Sequence, residues 1–164
     1  MTDAATEVIE RLVERGLTIA VAESLTGGQL VASLVDVPGA SATVVGGVVA
    51  YNTAIKHSVL GVSAPLLAEK GAVDPEVARQ MASGVRAALA VDGRPADVGI
   101  ATTGVAGPDP QDGKPVGTVY LGLAMEGRVE SYALTLSGSR SEIRTATVQH
   151  ALATLLAELY EQRE

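Results

Sequence analysis

The 164-residue sequence contains no cysteine, no tryptophan and no phenylalanine. Without cysteine neither a disulfide framework nor a thiolate metal site is possible, and the chain suits a reducing compartment. Only two histidines occur, His57 and His150, and neither has a partner at the spacing of a metal ligand. We therefore expect no bound metal and no cofactor. The core must be built from Val, Leu, Ile and Ala, and only four tyrosines can stack on a substrate ring.

Basic charge and long apolar runs are also scarce. The chain has 12 Lys and Arg against 19 Asp and Glu, a net charge of −7. The basic residues are scattered rather than clustered in a stripe, which argues against a nucleic-acid partner. No apolar run approaches the roughly 20 residues of a membrane span, and the first 15 residues have the pattern of an amphipathic helix rather than of a signal peptide. We expect a cytoplasmic protein with no membrane and no nucleic-acid contact.

Hydrophobic patterns predict helices that alternate with strands and then a hairpin. Helices are predicted over residues 4–15, 29–35, 53–60, 64–70 and 74–89, with a last helix capped by Ser139 or Ser141. Strands are predicted over 17–22, 44–51, 97–102, 116–125 and 129–136. The length fits one domain over residues 1–164. We predict an α/β fold of three layers, α/β/α, whose mixed sheet includes a C-terminal antiparallel hairpin.

The search for catalytic motifs leaves Ser24 as the candidate nucleophile. The chain has no Gly-x-Ser-x-Gly elbow and no Gly-x-Gly-x-x-Gly, and Lys114 is followed by Pro rather than by the Ser or Thr of a phosphate loop. Ser24 lies between a predicted buried strand and a helix with a glycine-rich start, where backbone N–H groups favour developing negative charge. A hydroxyl there can attack a carbonyl while nearby N–H groups hold the oxyanion. The alternative is that Ser24 and Thr26 only cap the helix.

A nucleophilic serine needs a base, and Lys56 is the candidate. No Ser-His-Asp set is present, whereas Ser-Lys pairs occur among hydrolases. To act near neutral pH, Lys56 needs a pKa lowered by about 3 units, which requires burial or a cationic neighbour. One alternative is that Lys56 is a solvated surface lysine. Another is that His57 is the base, although as the next residue of a short helix it points elsewhere.

Further candidates for a binding pocket lie later in the chain. Residues 102–108 follow a predicted strand, the place where α/β folds bind ligands. Arg140 and Arg144 are four residues apart at the start of the last helix and so share one face. With the helix N-terminus they could clamp a phosphate. The alternative is a pair of surface arginines near Glu142.

These same residues carry a family resemblance over about residues 5–160. The matching stretches are Ala-Glu-Ser-Leu-Thr-Gly-Gly at 22–28, Pro-Gly-Ala-Ser at 38–41, Gly-Gly-Val-Val-Ala-Tyr at 46–51, Lys56, Thr-Gly-Val-Ala-Gly-Pro at 103–108, Lys-Pro-Val-Gly-Thr-Val-Tyr at 114–120, and Arg140 with Ile143-Arg144. In this order they resemble the CinA C-terminal domain family, in its stand-alone form. Members of this family include nicotinamide mononucleotide deamidases.

The resemblance implies an amidohydrolase of pyridine-nucleotide salvage. It would convert nicotinamide mononucleotide to nicotinic acid mononucleotide and ammonia without a metal or other cofactor, with Ser24 as nucleophile and Lys56 as general base. The implied substrate-binding residues are Tyr51 against the pyridine ring, Thr26, Gly27 and Gly28 in the turn of residues 24–28 (the serine turn), Thr103, Gly104, Ala106 and Gly107 near the reacting centre, and Arg140 and Arg144 at the phosphate. Relatives also suggest a homo-oligomer, such as a dimer.

Two alternatives to this activity stay open from the sequence. The same machinery could act on a different aromatic or nucleotide amide. The chain could also be a non-catalytic module that binds a nucleotide or a partner protein.

Overall fold

A computed structural model describes residues 3–161. The helices are α1 (Ala4–Arg15), α2 (Gln29–Val35), α3 (Thr53–Ser58), α4 (Ala64–Lys70), α5 (Pro75–Ala88) and α6 (Arg140–Glu161). The strands are β1 (Ile19–Glu23), β2 (Val44–Val49), β3 (Val98–Gly104), β4 (Thr118–Met125) and β5 (Arg128–Thr135). The predicted elements are confirmed, with ends that differ by one or two residues in several cases. Within residues 3–161, no helix has the length and apolarity needed to cross a membrane.

The five strands form one mixed sheet in the order β2-β1-β3-β4-β5. Strand β1 pairs in parallel with β2 on one side and with β3 on the other. Strands β4 and β5 continue the sheet in antiparallel fashion and form the predicted C-terminal hairpin. All five side chains of β1 are buried, as expected of a central strand covered on both faces.

Helices cover both faces of the sheet, which confirms the predicted three layers. On one face α1, α2 and α6 pack over the sheet through large aliphatic side chains such as Leu12, Leu30 and Leu155. On the other face α5 contributes Val77, Met81 and Val85 to a cluster in which the strands supply mostly alanine. The division of apolar residues between two faces therefore follows the alternation of side chains along each strand.

Glycines of the sheet face helix α5 and let the helix main chain come into contact with the strands. A Cβ atom built on Gly99 would lie 2.0 Å from the Ala82 carbonyl oxygen, and one on Gly122 would lie 2.0 Å from the Ala78 carbonyl oxygen. No side chain fits at either strand position without moving the helix backbone. The two glycines thus permit direct contact between helix main chain and sheet.

The parallel strands end together at one edge of the sheet. Glu23, the last residue of β1, is in register with Val49 of β2 and with Thr102 of β3. The segments that follow these strands therefore emerge side by side. In open α/β sheets the ligand site lies at this carboxyl edge.

Candidate active site

Ser24 and Lys56 meet at the carboxyl edge of the sheet. The Nζ atom of Lys56 lies 2.9 Å from Ser24 Oγ and donates a second hydrogen bond, of 2.6 Å, to the Ala50 carbonyl oxygen. Lys56 has no exposed surface at all, and Ser24 is 9% exposed. The interpretation of Lys56 as a solvated surface lysine is therefore wrong, and the pair has the spacing of a nucleophile and its base.

Helix α3 brings Lys56 inward from the end of the edge strand β2. The Asn52 side chain caps this helix by accepting a 2.9 Å hydrogen bond from the Ala54 N–H. Consecutive residues of a helix are rotated by about 100° from each other, so the side chains of Lys56 and His57 point in different directions. His57, next to Lys56, has its Nδ1 atom 2.8 Å from the Val62 carbonyl oxygen rather than near Ser24. The sequence-based expectation that His57 points elsewhere agrees with this geometry.

Burial changes the acid–base character of Lys56. Removal of the ammonium group from water lowers the pKa of Lys56 from its ordinary value of 10.5 to about 8. No carboxylate forms an ion pair with Lys56 within residues 3–161 to counter this effect. A lysine with a pKa near 8 is partly neutral at physiological pH and can accept a proton from a serine hydroxyl.

Hydrogen bonds to β3 hold the turn that presents Ser24. The Ser24 N–H donates to the Thr102 carbonyl oxygen at 3.0 Å and also lies 3.3 Å from Thr102 Oγ1. Thr102 Oγ1 is in turn 2.8 Å from Thr26 Oγ1, and both threonines are fully buried. The Gly27 N–H closes the turn by donating to the Ser24 carbonyl oxygen at 3.1 Å. Thr26 therefore faces the protein interior.

The N-terminus of α2 differs from the sequence-based expectation. Gly28 is the N-cap residue, so neither Ser24 nor Thr26 caps this helix, and that alternative is wrong. The cap is supplied by Glu23, whose two carboxylate oxygens accept from the Leu30 N–H at 2.8 Å and the Val31 N–H at 3.0 Å. The Leu30 and Val31 N–H groups are therefore not available to an oxyanion. The expectation that the N-terminus of α2 donates to the oxyanion is wrong.

A cavity of about 450 Å³ opens beside the Ser24 hydroxyl. Most of the predicted site residues line it, namely Ser24, Tyr51, Lys56, Thr103, Gly104, Ala106, Gly107 and Arg140. Leu25, Ala72, Val73, Val105 and residues 108–111 complete the lining. Thr26, Gly27, Gly28 and Arg144 are absent from that lining, although they are predicted to bind substrate. Within residues 3–161 no group of three or more metal-ligating side chains is assembled.

The two arginines of α6 have different surroundings. Arg140 reaches across the cavity mouth and donates to the Gly107 carbonyl oxygen at 2.6 Å and to the Tyr51 hydroxyl at 2.9 Å. Arg144 donates to the Leu25 carbonyl oxygen at 2.8 Å and lies 3.3 Å from the Thr26 carbonyl oxygen. Arg140 is therefore placed to meet an anionic group in the cavity, whereas Arg144 supports the serine turn.

The start of α6 is set by a reciprocal cap. Ser139 Oγ accepts from the Glu142 N–H at 3.2 Å, and the Glu142 carboxylate accepts from the Ser139 N–H at 2.7 Å. Of the two predicted capping residues, Ser139 rather than Ser141 is the one used. This cap fixes where the helix begins and so places Arg140 at the cavity mouth.

Sequence reasoning missed several groups in this site, and two of them hold the Ser24–Lys56 pair in place. The Ala50 carbonyl oxygen, which accepts from Lys56, has no signature in the sequence because any residue supplies a carbonyl. Glu23 does have a signature. It is a carboxylate at the end of a buried strand, and a glutamate is almost never fully buried unless it is paired. A search for its partner would have pointed to the N–H groups of the following helix.

Comparisons with known proteins show the family of the chain and agree with this fold. The family model of the CinA C-terminal domain matches residues 1–159. A CinA-like protein of Frankia casuarinae is 51% identical over 145 residues, which is 88% of this chain and 32% of that protein. A CinA-like protein of Gemmatimonas aurantiaca is 45% identical over 156 residues, 93% of this chain and 35% of its own length. The chain thus spans about a third of the curated relatives it matches.

Solved structures match over almost the whole chain. The competence damage-inducible protein A from Klebsiella pneumoniae has a TM-score of 0.90 at 35% identity, with 98% of this chain and 97% of that chain covered. The competence/damage inducible protein from Agrobacterium tumefaciens has a TM-score of 0.83 at 35% identity, with 96% of both chains covered. With the family model and these relatives in agreement, the chain belongs to the CinA C-terminal domain family.

Proposed function

We propose that this protein is an amidohydrolase that removes ammonia from the carboxamide of nicotinamide mononucleotide. The observation that carries the proposal is the buried contact of 2.9 Å between Lys56 Nζ and Ser24 Oγ beside an open cavity. Burial of a lysine next to a serine is costly for stability, and the pairing gives the serine a base. This arrangement favours catalysis over a binding module, in which the buried lysine would cost stability without serving as a base.

The reaction begins with attack by the Ser24 hydroxyl on the carboxamide carbon. In its neutral form Lys56 accepts the hydroxyl proton, so the hydrogen bond between the two groups reverses and Ser24 becomes the donor. The C–O bond forms while the carbonyl oxygen takes up negative charge. The protonated Lys56 then delivers a proton to the amide nitrogen, the C–N bond breaks, and ammonia leaves an acyl group on Ser24.

Water completes the cycle by hydrolysing the acyl group. Lys56, neutral again after proton delivery, removes a proton from the attacking water, and Ser24 leaves with that proton. The products are the carboxylic acid and ammonia, and the enzyme returns to its starting state. The net reaction consumes one amide and one water and needs no oxidant or reductant.

The Leu25 N–H is our candidate donor to the oxyanion. Leu25 follows Ser24 directly and lines the cavity, and no acceptor takes its N–H within residues 3–161. Backbone N–H groups next to a nucleophile commonly stabilise the tetrahedral intermediate, and loss of one such donor costs about 10²–10³ in kcat. The first N–H groups of α2 are excluded from this role, because the Gln29 N–H donates to the Thr26 carbonyl oxygen and those of Leu30 and Val31 donate to Glu23.

The cavity suits an aromatic nucleotide in size and charge. A volume of about 450 Å³ lies in the range of small-molecule sites. The Tyr51 ring, 60% exposed, can stack on the pyridine ring, and Arg140 beside it can hold the phosphate. This arrangement favours a phosphorylated aromatic amide over a free one.

The test is ammonia release from nicotinamide mononucleotide by the native protein, Ser24→Ala and Lys56→Ala. We expect both variants to lose several orders of magnitude in kcat while circular dichroism shows an unchanged fold. Matched controls are Ser41→Ala and Lys70→Ala, which alter an exposed serine and an exposed lysine and should keep full activity. Tight nucleotide binding without ammonia release would instead support the binding-module alternative. Equal activity on the nucleoside that lacks the phosphate would point to a different aromatic amide.

A further inference from the structure

Glu23 is a buried carboxylate for which the proposed reaction has no chemical use. It is the last residue of β1, it precedes Ser24 directly, and it is 1% exposed. Its side chain accepts from the Leu30 and Val31 N–H groups at 2.8 and 3.0 Å, and its carbonyl oxygen accepts from the Ala50 N–H at 2.8 Å. One residue thus joins the ends of β1 and β2 to the start of α2.

This cap differs from the others in the fold. Asp3, Asn52 and Asp74 each cap the helix that begins at the very next residue. Glu23 caps a helix that begins at Gln29, so its side chain spans the whole turn of residues 24–28. Both ends of the turn are consequently attached to one side chain. A turn closed in this way has fewer accessible conformations than one attached only through its main chain.

We propose that Glu23 is a positioning residue that holds Ser24 in line with Lys56, an inference that rests on the proposed nucleophilic role of Ser24. The carboxylate fixes the Ser24 turn against α2. The main chain of Glu23 binds Ala50, and Ala50 accepts the hydrogen bond from Lys56. The positions of both Ser24 and Lys56 therefore depend on Glu23. Glu23 is not part of the cavity lining, so its carboxylate acts through its neighbours rather than on the substrate.

The expected effect of Glu23→Gln follows from geometry. Glutamine has the same shape but replaces one acceptor oxygen by an NH2 group, which faces a backbone N–H as donor against donor. The turn loses one of its two attachments to α2. Misplacement of a catalytic group by about 1 Å costs about 100-fold in rate, so we expect kcat to fall about 10- to 100-fold. KM should stay within about 2-fold because Tyr51 and Arg140 keep their places.

Glu158→Gln is the matched control for a purely structural loss. Glu158 is also a buried carboxylate, 7% exposed, and it accepts hydrogen bonds from Arg128 and Tyr132 between α6 and β5. It lines no part of the Ser24 cavity. We expect Glu158→Gln to lower the unfolding midpoint about as much as Glu23→Gln does while kcat stays within about 2-fold of the native value.

The experiment combines steady-state kinetics with amide hydrogen exchange on both variants and on Glu23→Asp. Glu23→Gln should accelerate exchange at Leu30, Val31 and also Gly27, whose N–H lies inside the turn. Glu158→Gln should leave these three amides protected. Glu23→Asp keeps the charge on a shorter side chain and should give an intermediate kcat. It also serves if the glutamine variant fails to fold.

Two results would overturn the inference. One is a kcat in Glu23→Gln no lower than in Glu158→Gln. The other is unchanged exchange at Gly27 when Leu30 and Val31 lose protection, because the carboxylate then does not order the turn. If the native protein releases no ammonia, the proposed function fails, and exchange at Gly27 still decides whether Glu23 orders the turn.

Discussion

Replacement of Lys56 by methionine should remove activity and also change how stability depends on pH. The burial that lowers the pKa of Lys56 from 10.5 to about 8 is a penalty on the charged form. At about 1.36 kcal/mol per pKa unit, this gap corresponds to about 3 kcal/mol of lost stability below pH 8. Methionine fills a similar volume and carries no proton, so the variant has no such penalty.

The sign of the pH effect follows from proton binding. Between pH 8 and pH 10.5 the unfolded chain keeps a proton on Lys56 that the folded chain has lost. Raising the pH through this window therefore stabilises the folded state. From about pH 7 to about pH 9.5 the native protein should gain about 2 kcal/mol in unfolding free energy relative to Lys56→Met. The hydrogen bond to Ala50 lost in the variant shifts stability equally at both pH values and cancels.

The assay is urea unfolding of both proteins at these two pH values. Other groups also titrate in this range, and the comparison with Lys56→Met removes their contribution. Equal m-values would show that the two proteins expose the same surface on unfolding. Parallel stability changes in the two proteins would refute the reasoning, because the pKa of Lys56 would then be the same in the folded and unfolded states.

Three further predictions concern catalysis and packing. The kcat/KM of ammonia release should rise with pH and level off above about pH 8, since only neutral Lys56 is a base; a flat profile would exclude this role. Arg140→Ala should raise KM at least about 10-fold for the nucleotide but not for the nucleoside lacking phosphate, because Arg140 lies at the cavity. Arg144→Ala should chiefly lower kcat, because Arg144 holds the serine turn. The reverse pattern would make Arg144 the phosphate ligand. Gly122→Ala should lower the unfolding free energy by about 1–3 kcal/mol in urea because its Cβ would lie 2.0 Å from the Ala78 carbonyl oxygen, and an unchanged midpoint would contradict this close packing.

The secondary structure was predictable because its signals are local. The apolar stripe of α1 ends at Gly16, and Asp74 followed by Pro75 marks the start of α5. The order of strands and helices then indicated a mixed sheet with helices on both faces. Each of these inferences depends on neighbours within one or two turns of chain, where periodicity and caps carry the information.

The pairing of Ser24 with Lys56 depended on family resemblance as well as on elimination. Their contact joins residues 32 positions apart. Periodicity places each residue after a strand but does not show that the two strands are neighbours in the sheet. Only the tertiary structure shows that β1 and β2 are neighbours, and this adjacency brings Lys56 close to Ser24.

The role of Arg144 illustrates what local patterns cannot supply. Its spacing from Arg140 correctly indicates a shared helix face. The acceptors of Arg144 are carbonyl oxygens of Leu25 and Thr26, about 119 residues earlier in the chain. Main-chain acceptors are present at every residue, so no sequence motif distinguishes them from a phosphate. Only the packing of α6 against the serine turn does so.

The proposed nucleophile and the proposed base follow strands that differ in how firmly the sheet holds them. Ser24 follows the fully buried central strand β1, whereas Lys56 follows β2, which lies at the sheet edge and pairs on one side only. Edge elements open at lower free energy than the core of a domain. We therefore expect the rate of the proposed reaction to depend on the pairing of β2 with β1 as well as on the chemical steps. Detachment of β2 would separate Lys56 from Ser24 and stop that reaction while the other four strands stay folded.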